Sequence, residues 1–325
     1  MIRLRNVTKK FGSLLAVDDV TLDVKEGETL VLLGTSGCGK TTTLKLINRL
    51  EELTAGTIEV AGTDIQHQKP EELRRQMGYV IQGAGLFPHY TVQENIAVVP
   101  RLLHWSKEKI EARTREVLDL LRISAQQYLP KYPHELSGGQ QQRVGLARAL
   151  ISDPPVILMD EPFGALDPFT RISIRREFKN IEALRHKTKV LVTHDVLEAF
   201  ELGDRICLMD DGKIQQLGTT QELVFRPANG FVMRFLQDQL FQLQLQVLQL
   251  QHLRPYLPAV SPSNIHNAIA IPEMESVLEA IQILTATGAP QQCLTLNATT
   301  AAPAQAATVA DLMAAVEQLT LTLRK

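Results

Sequence analysis

The sequence predicts an α/β protein built on a mainly parallel β-sheet covered by helices. Three observations carry that reading. Before residue 236, short apolar runs alternate with stretches of helical periodicity. One run, Thr29–Leu33, leads straight into a glycine-rich loop that opens a helix from Lys40 to about Leu50. Another, Val156–Asp160, is apolar until it ends on two adjacent acids, Asp160 and Glu161.

The elements follow in chain order. Ile2–Val7, Thr21–Val24 and Thr57–Val60 read as strands of a smaller antiparallel sheet. Thr29–Leu33, Met77–Gln82, Val156–Asp160 and Lys189–Thr193 read as the buried parallel strands. Residues 107–121 space Ile110, Val117, Leu118 and Leu121 as one face of a helix. They belong to a mostly helical insertion over about 88–152. Arg205–Met209 and Lys213–Leu217 flank Asp210-Asp211-Gly212, a hairpin signal.

Composition bounds the function. The chain has 325 residues, is 44% hydrophobic and carries a formal net charge of −2, so it can bury a large core and has no basic excess to attract nucleic acid. Cys38, Cys207 and Cys293 are far apart and form no CxxC pair, which fits a reducing cytosol better than a zinc or disulfide framework. Residues 1–10 lack the apolar run and cleavage site of a signal peptide. No apolar stretch approaches the ~18 uncharged residues of a membrane span. A role at a membrane therefore requires other chains to hold this one there.

Charge divides the chain near 235. Only Asp238, Arg254, Glu273, Glu275, Glu279, Asp311, Glu317, Arg324 and Lys325 are charged beyond it. The expected units are residues 1–235 and a tail, 236–325. Leu236–Leu253 alternates at Phe241-Gln-Leu-Gln-Leu-Gln-Val247, which suits either a strand or a Gln-rich linker helix.

The chemistry begins at Gly34-Thr35-Ser36-Gly37-Cys38-Gly39-Lys40-Thr41, which fits G-x4-G-K-[ST] between a strand and a helix. Glycines let the backbone curl so that several N–H groups, including those reaching to Thr42, face phosphate oxygens. The helix that follows adds its positive end. Lys40 is expected on the β- and γ-phosphates of ATP, and Thr41 on Mg²⁺. Asp160 is expected at the same Mg²⁺, and Glu161 as the general base that polarises the attacking water. Leu136-Ser137-Gly138-Gly139-Gln140 starts a further helix with Ser137 as its cap. Its paired glycines expose N–H groups for a phosphate.

Together these motifs resemble the ABC ATPases, and the resemblance runs in order along the first 235 residues. It implies a RecA-like P-loop NTPase core with an antiparallel β subdomain and a helical subdomain. It also implies that Ser137, Gly138, Gly139 and Gln140 form a signature that closes over ATP held by a second copy, so that two chains pair head-to-tail. Phe11 matches the aromatic that stacks on adenine, and Gln82 the glutamine that contacts Mg²⁺ and water. Ala165-Leu166-Asp167 matches the D-loop across the dimer interface. His194, 33 residues after Glu161, matches the switch histidine at the γ-phosphate. The remaining histidines receive no such role.

Residues 35–50 and 79–100, with Trp105 and Asp160–Pro168, look like the ATPases of osmoprotectant importers, which take up glycine betaine, carnitine, choline or proline. The resemblance implies integral-membrane permease subunits as partners, an extracellular or periplasmic binding protein acting indirectly, and a place on the cytoplasmic face of the membrane. An importer ATPase for another solute, or a non-transport ABC ATPase, would share the same motifs. Residues from Gln82 to about Pro100 are expected to line the groove for a permease helix, with Leu86, Phe87, Val92 and Ile96 either facing it or belonging to the core. Gly83 and Ala84 stand where that group has bulkier residues, and Cys38 where serine is common. Gly83 and Gly85 are expected to loosen this segment. The tail is too short for the paired CBS motifs such ATPases carry. Ile269–Ile271, a helix around Ser276–Thr287, Cys293–Leu296 and a helix around Val309–Leu319 follow the order of one small α+β CBS motif, single or degenerate, which binds an adenine nucleotide or nothing.

Overall fold

The computed structural model describes residues 1–83, 85–257, 269–286, 294–296 and 305–323. Two compact units divide the chain, Met1–Leu217 and Gly218–Lys325. Ala84, Cys293, His266, Thr287, Arg324 and Lys325 lie outside the described residues.

The first unit opens with β1 (Ile2–Phe11), β2 (Leu14–Val24) and β3 (Thr29–Gly34), then α1 (Lys40–Ile47). β4 (Ala55–Val60), β5 (Thr63–Asp64), α2 (Pro70–Arg75) and β6 (Met77–Val80) follow. A helical stretch comprises α3 (Val92–Leu102), α4 (Lys107–Leu120), α5 (Ala125–Tyr128) and α6 (Gly138–Leu150). After it come β7 (Val156–Asp160), α7 (Pro168–Lys179), α8 (Glu182–Arg185), β8 (Thr188–Thr193), α9 (Val196–Leu202), β9 (Arg205–Asp210) and β10 (Lys213–Thr219).

Six strands form the main sheet in the order β10-β9-β3-β8-β7-β6, with every pair from β9 to β6 parallel. Its middle strands explain their own sequences. All residues of β3, β7 and β8 are buried, because helices cover both faces of a parallel sheet and leave no polar side. Their apolar side chains each stabilise the fold by about 1.5–3 kcal/mol on burial. The second sheet, β2-β1-β4-β5, is antiparallel. It alternates: Ile2 and Leu4 are buried while Arg3 and Arg5 are exposed, the pattern of a sheet with one wet face.

The expected strands are present, but β1 runs on to Phe11, β2 begins at Leu14 and one strand is shorter. β6 stops at Val80, so Gln82 lies in the loop beyond the strand rather than at its end. Two hydrogen bonds involve its glycines. Gly83 and Gly85 have φ of 71° and 50°, and the Gly85 N–H donates to Gly83 O at 2.8 Å. Arg148 Nη1 donates to Gly85 O at 2.8 Å. The glycines here permit a left-handed turn.

Asn95 organises the next loop. It is fully buried on α3, its Oδ1 accepts from the Phe87 N–H at 2.8 Å, and its Nδ2 faces the carbonyls of Phe87, Tyr90 and Thr91 at 3.0–3.1 Å. Asn95→Asp would aim a second acceptor at three carbonyl oxygens. We expect it to cost about 3 kcal/mol in urea unfolding, and a cost below about 0.5 kcal/mol would contradict this role. Of the four apolar residues expected in this region, Val92 and Ile96 are core, Leu86 is half-buried and Phe87 is 42% exposed.

The second unit comprises α10 (Thr220–Phe225), α11 (Gly230–Leu236), α12 (Leu240–Val247), α13 (Leu250–Leu253), β11 (Ile269–Ile271), α14 (Val277–Ala286), β12 (Leu294–Leu296), β13 (Gln305–Ala307) and α15 (Val309–Leu323). α10 packs on α11 and α12, so the unit begins before the change in charge at 235. Leu236–Leu253 is mainly helical, with a break at Leu248 and Gln249. Leu243, Gln244, Leu245 and Val247 of α12 are all buried, and a helix covered on several sides shows no clean 3.6 period. β12 pairs parallel with β11 and antiparallel with β13.

Candidate functional site

β3 ends at Gly34 and α1 begins at Lys40, and the loop between them curls over the carboxyl end of the main sheet. Gly39 makes that curl possible: its φ is 100°, and a Cβ there would lie 2.3 Å from the carbonyl oxygen of Ala16. The turn thus demands glycine on both conformational and steric grounds. Lys40 is 5% exposed, and its Nζ donates to the carbonyls of Gly34 at 2.9 Å and Thr35 at 2.6 Å. Strand β9 buttresses the loop from the side. Asp210 accepts from the Thr35 hydroxyl at 2.9 Å, and the Gly212 N–H donates to Cys38 O at 3.2 Å.

Neighbouring strands deliver the remaining groups to the same place. β7 carries Asp160, 8% exposed, whose Oδ1 accepts from the Thr41 hydroxyl at 2.8 Å. Burial pushes the Asp160 carboxyl above its ordinary value, the adjacent Glu161 charge adds to this, and the Thr41 hydroxyl opposes it. Glu161 follows with φ of 43°, an uncommon conformation for a non-glycine residue. Its Oε2 accepts from Gln82 Nε2 at 2.9 Å, and its Oε1 lies 3.0 Å from His194 Nδ1. Ser36, Gly37, Gly39, Lys40, Thr41, Thr42, Glu161 and His194 line one cleft of about 190 Å³.

The oxygen pair of Thr41 and Asp160 suits a hard cation such as Mg²⁺, which binds proteins through one or two carboxylates plus substrate phosphates. Among the described residues no cluster of three His, Cys, Asp or Glu would hold a metal alone. A donor set completed by phosphate is consistent with that.

A sequence model described as ABC transporter matches residues 17–164. The glycine betaine/carnitine/choline transport ATP-binding protein OpuCA of Bacillus subtilis is 46% identical over 285 residues, 87% of this chain and 72% of that protein. This chain belongs to the ABC transporter ATP-binding proteins. The choline transport ATP-binding protein OpuBA of Bacillus subtilis is 52% identical over 73% of this chain, and the chain spans 62% of that relative. Among solved structures, the dimeric post-hydrolysis ATP-binding cassette MJ0796, bound to ADP and Pi, is 35% identical with a TM-score of 0.60, covering 67% of this chain and 98% of that one.

Other predicted residues of this ABC protein lie outside the cleft lining. Ser137 caps α6 in a reciprocal pair with Gln140: the Gln140 N–H donates to Ser137 Oγ at 3.3 Å, and the Ser137 N–H to Gln140 Oε1 at 2.9 Å. Gly138 is exposed, whereas Gly139 is buried. A Cβ on Gly139 would stand 3.0 Å from Ile174 and Thr170 of α7, so this glycine sets how closely α6 packs on α7. Asp167 caps α7, accepting from the Thr170 N–H at 3.1 Å. The Thr170 hydrogen bonds hold its carboxyl below the usual value. Phe11 ends β1 with 43% of its surface exposed, and Lys9 Nζ lies 4.5 Å from its ring centroid.

Sequence reasoning missed a charged cluster behind His194. Asp195 caps α9, accepting from the Glu198 N–H at 3.1 Å, and faces Arg171 and Arg175 of α7. Glu198 is 3% exposed; burial pushes its carboxyl up to about 8, and the nearby Asp195 charge adds to this. Asp195 and its arginine partners are some twenty residues apart, as Arg175 and Asp195 are, so no local motif announces their meeting.

Proposed function

We propose that this chain is the ATP-hydrolysing motor of an importer for a quaternary-amine osmoprotectant such as glycine betaine, carnitine, choline or proline. The observation that carries the ATPase part is that Lys40, Thr41, Glu161 and His194 line one cleft, with Asp160 and Gln82 hydrogen-bonded to Thr41 and Glu161. The cargo part is supported by identity of 46–52% to transport proteins named for these solutes.

In this reading the loop N–H groups and the α1 N-terminus cradle the phosphates of ATP. Lys40 leaves its loop carbonyls and reaches the β- and γ-phosphates. Thr41 and Asp160 hold Mg²⁺, which neutralises phosphate charge when bound. Glu161 accepts a proton from water as the water oxygen bonds to the γ-phosphorus; the bond to the β,γ-bridging oxygen breaks, and ADP and phosphate are released. Gln82 and His194 hold the two carboxylate oxygens, so Glu161 is aimed before water arrives. His194 then meets the γ-phosphate.

Ser137, Gly138, Gly139 and Gln140 serve the ATP of a second copy, paired head-to-tail, with Asp167 and the D-loop at the same seam and Phe11 against adenine. Permease subunits dock near Gln82 to Pro100, through Phe87 and Leu86, and place the chain on the cytoplasmic face of the membrane. A binding protein outside delivers the solute to them. The tail's β11-α14-β12-β13-α15 order supports a single CBS-like regulatory motif.

The test is reconstitution with permease subunits of osmoprotectant importers. ATP-dependent uptake of radiolabelled glycine betaine or choline into proteoliposomes is expected, abolished by Glu161→Gln. ATP hydrolysis that drives uptake of a different solute would overturn the cargo, and failure to bind any permease would overturn the transport reading.

A further inference from the structure

Arg171 joins two parts of the site that no strand or helix connects. Its Nη2 donates to the carbonyl oxygens of Gly164 at 3.3 Å and Leu166 at 3.1 Å, both in the D-loop segment. Its Nη1 lies 3.8 Å from Asp195 Oδ2. Asp195 is the residue after His194, and its backbone N–H donates to Thr193 Oγ1 at 3.0 Å, which fixes the chain on both sides of the histidine. Arg175 completes the frame, with Nη1 3.4 Å from the same Asp195 oxygen and Nε 3.0 Å from Glu201 Oε2.

We infer that Arg171, acting through Asp195, is a positioning residue that makes the aim of His194 depend on the D-loop. The reasons are physical. A guanidinium is a rigid planar fork, so a shift of the Gly164–Leu166 carbonyls turns the same group that faces Asp195. Asp195 caps α9, so its displacement moves the first turn of that helix and His194 with it. His194 in turn contacts Glu161. Arg171 Nε is buried without a hydrogen-bond partner among the described residues. A buried N–H without a partner is unfavourable, so this guanidinium is held by its Nη atoms alone. This inference rests on the paired-chain reading, in which a second copy docks at the D-loop.

The experiment is a double-mutant cycle in ATPase kinetics. Asp195→Asn keeps a good helix cap but removes the charge. Arg171→Met keeps the length and removes the fork. Each is expected to lower kcat about tenfold while KM for ATP stays within about twofold, and the double variant should be no worse than the more damaging single one. Arg171→Lys, which keeps charge but cannot hold two carbonyls and Asp195 together, should not restore kcat; it also stands in if Arg171→Met fails to fold. Wild-type kcat in Arg171→Lys and Arg171→Met, or effects that multiply, would overturn the inference. ATP-dependent dimerisation of Glu161→Gln, followed by sedimentation, reports separately on pairing. If that variant stays monomeric, the paired-chain reading fails, and with it the D-loop trigger; a dimer with multiplicative kinetics sinks only the Arg171 link.

Discussion

Glu161→Gln should lower ATP turnover by about 10²- to 10⁴-fold, the usual contribution of a positioned general base, while leaving nucleotide binding intact. The substitution is isosteric. Its remaining amide oxygen can still accept from Gln82 Nε2 or His194 Nδ1, which lie 2.9 and 3.0 Å from the native carboxylate oxygens. What disappears is the ability to take a proton from water. ATP then persists between the P-loop of one chain and the signature of the other, and the pair should accumulate. Turnover close to wild type would show that Asp160 or another group serves as the base. Asp160 is badly placed for that, since its Oδ1 is occupied by the Thr41 hydroxyl.

Lys40→Ala should fail earlier, at binding. Hydrogen bonds from a charged donor are worth about 1.5–3 kcal/mol each, so losing the ammonium should weaken ATP affinity by roughly 10- to 100-fold. Lys40 Nζ also donates to two carbonyls of its own loop, and the loop therefore loses internal support as well. Titration with a fluorescent ATP analogue separates the two variants: Glu161→Gln keeps affinity and loses turnover, whereas Lys40→Ala loses affinity. Unchanged affinity in Lys40→Ala would contradict the phosphate assignment.

Much of the fold and of the site is legible in the order of the residues. The buried strands β3, β7 and β8 announce themselves because covering both faces of a parallel sheet forces continuous apolar runs, and the glycine loop carries its mechanism in its residue types. Groups brought together by sheet order are not legible. Asp210 supports Thr35 only because β9 lies beside β3, and Arg171 and Asp195 meet only because α7 and α9 pack together. Asn95 gives no signal, since nothing in its neighbours shows that three carbonyls converge on it. The Leu236–Leu253 stretch leaves strand and helix open: its period-2 alternation fits a strand, and α12 is buried on too many sides for pattern to decide.

The central claim is that one productive site is made from two chains, and mixing defective chains tests it most directly. Lys40→Ala removes a P-loop, and Gly138→Asp places a negative charge where the signature meets phosphate. Each variant alone should be inactive. Mixed, they form pairs in which the intact P-loop of one chain faces the intact signature of the other. ATPase activity should then reappear in proportion to the mixed pairs. If both proteins are folded and the mixture stays as inactive as its components, each chain does not complete its neighbour's site and the account is wrong.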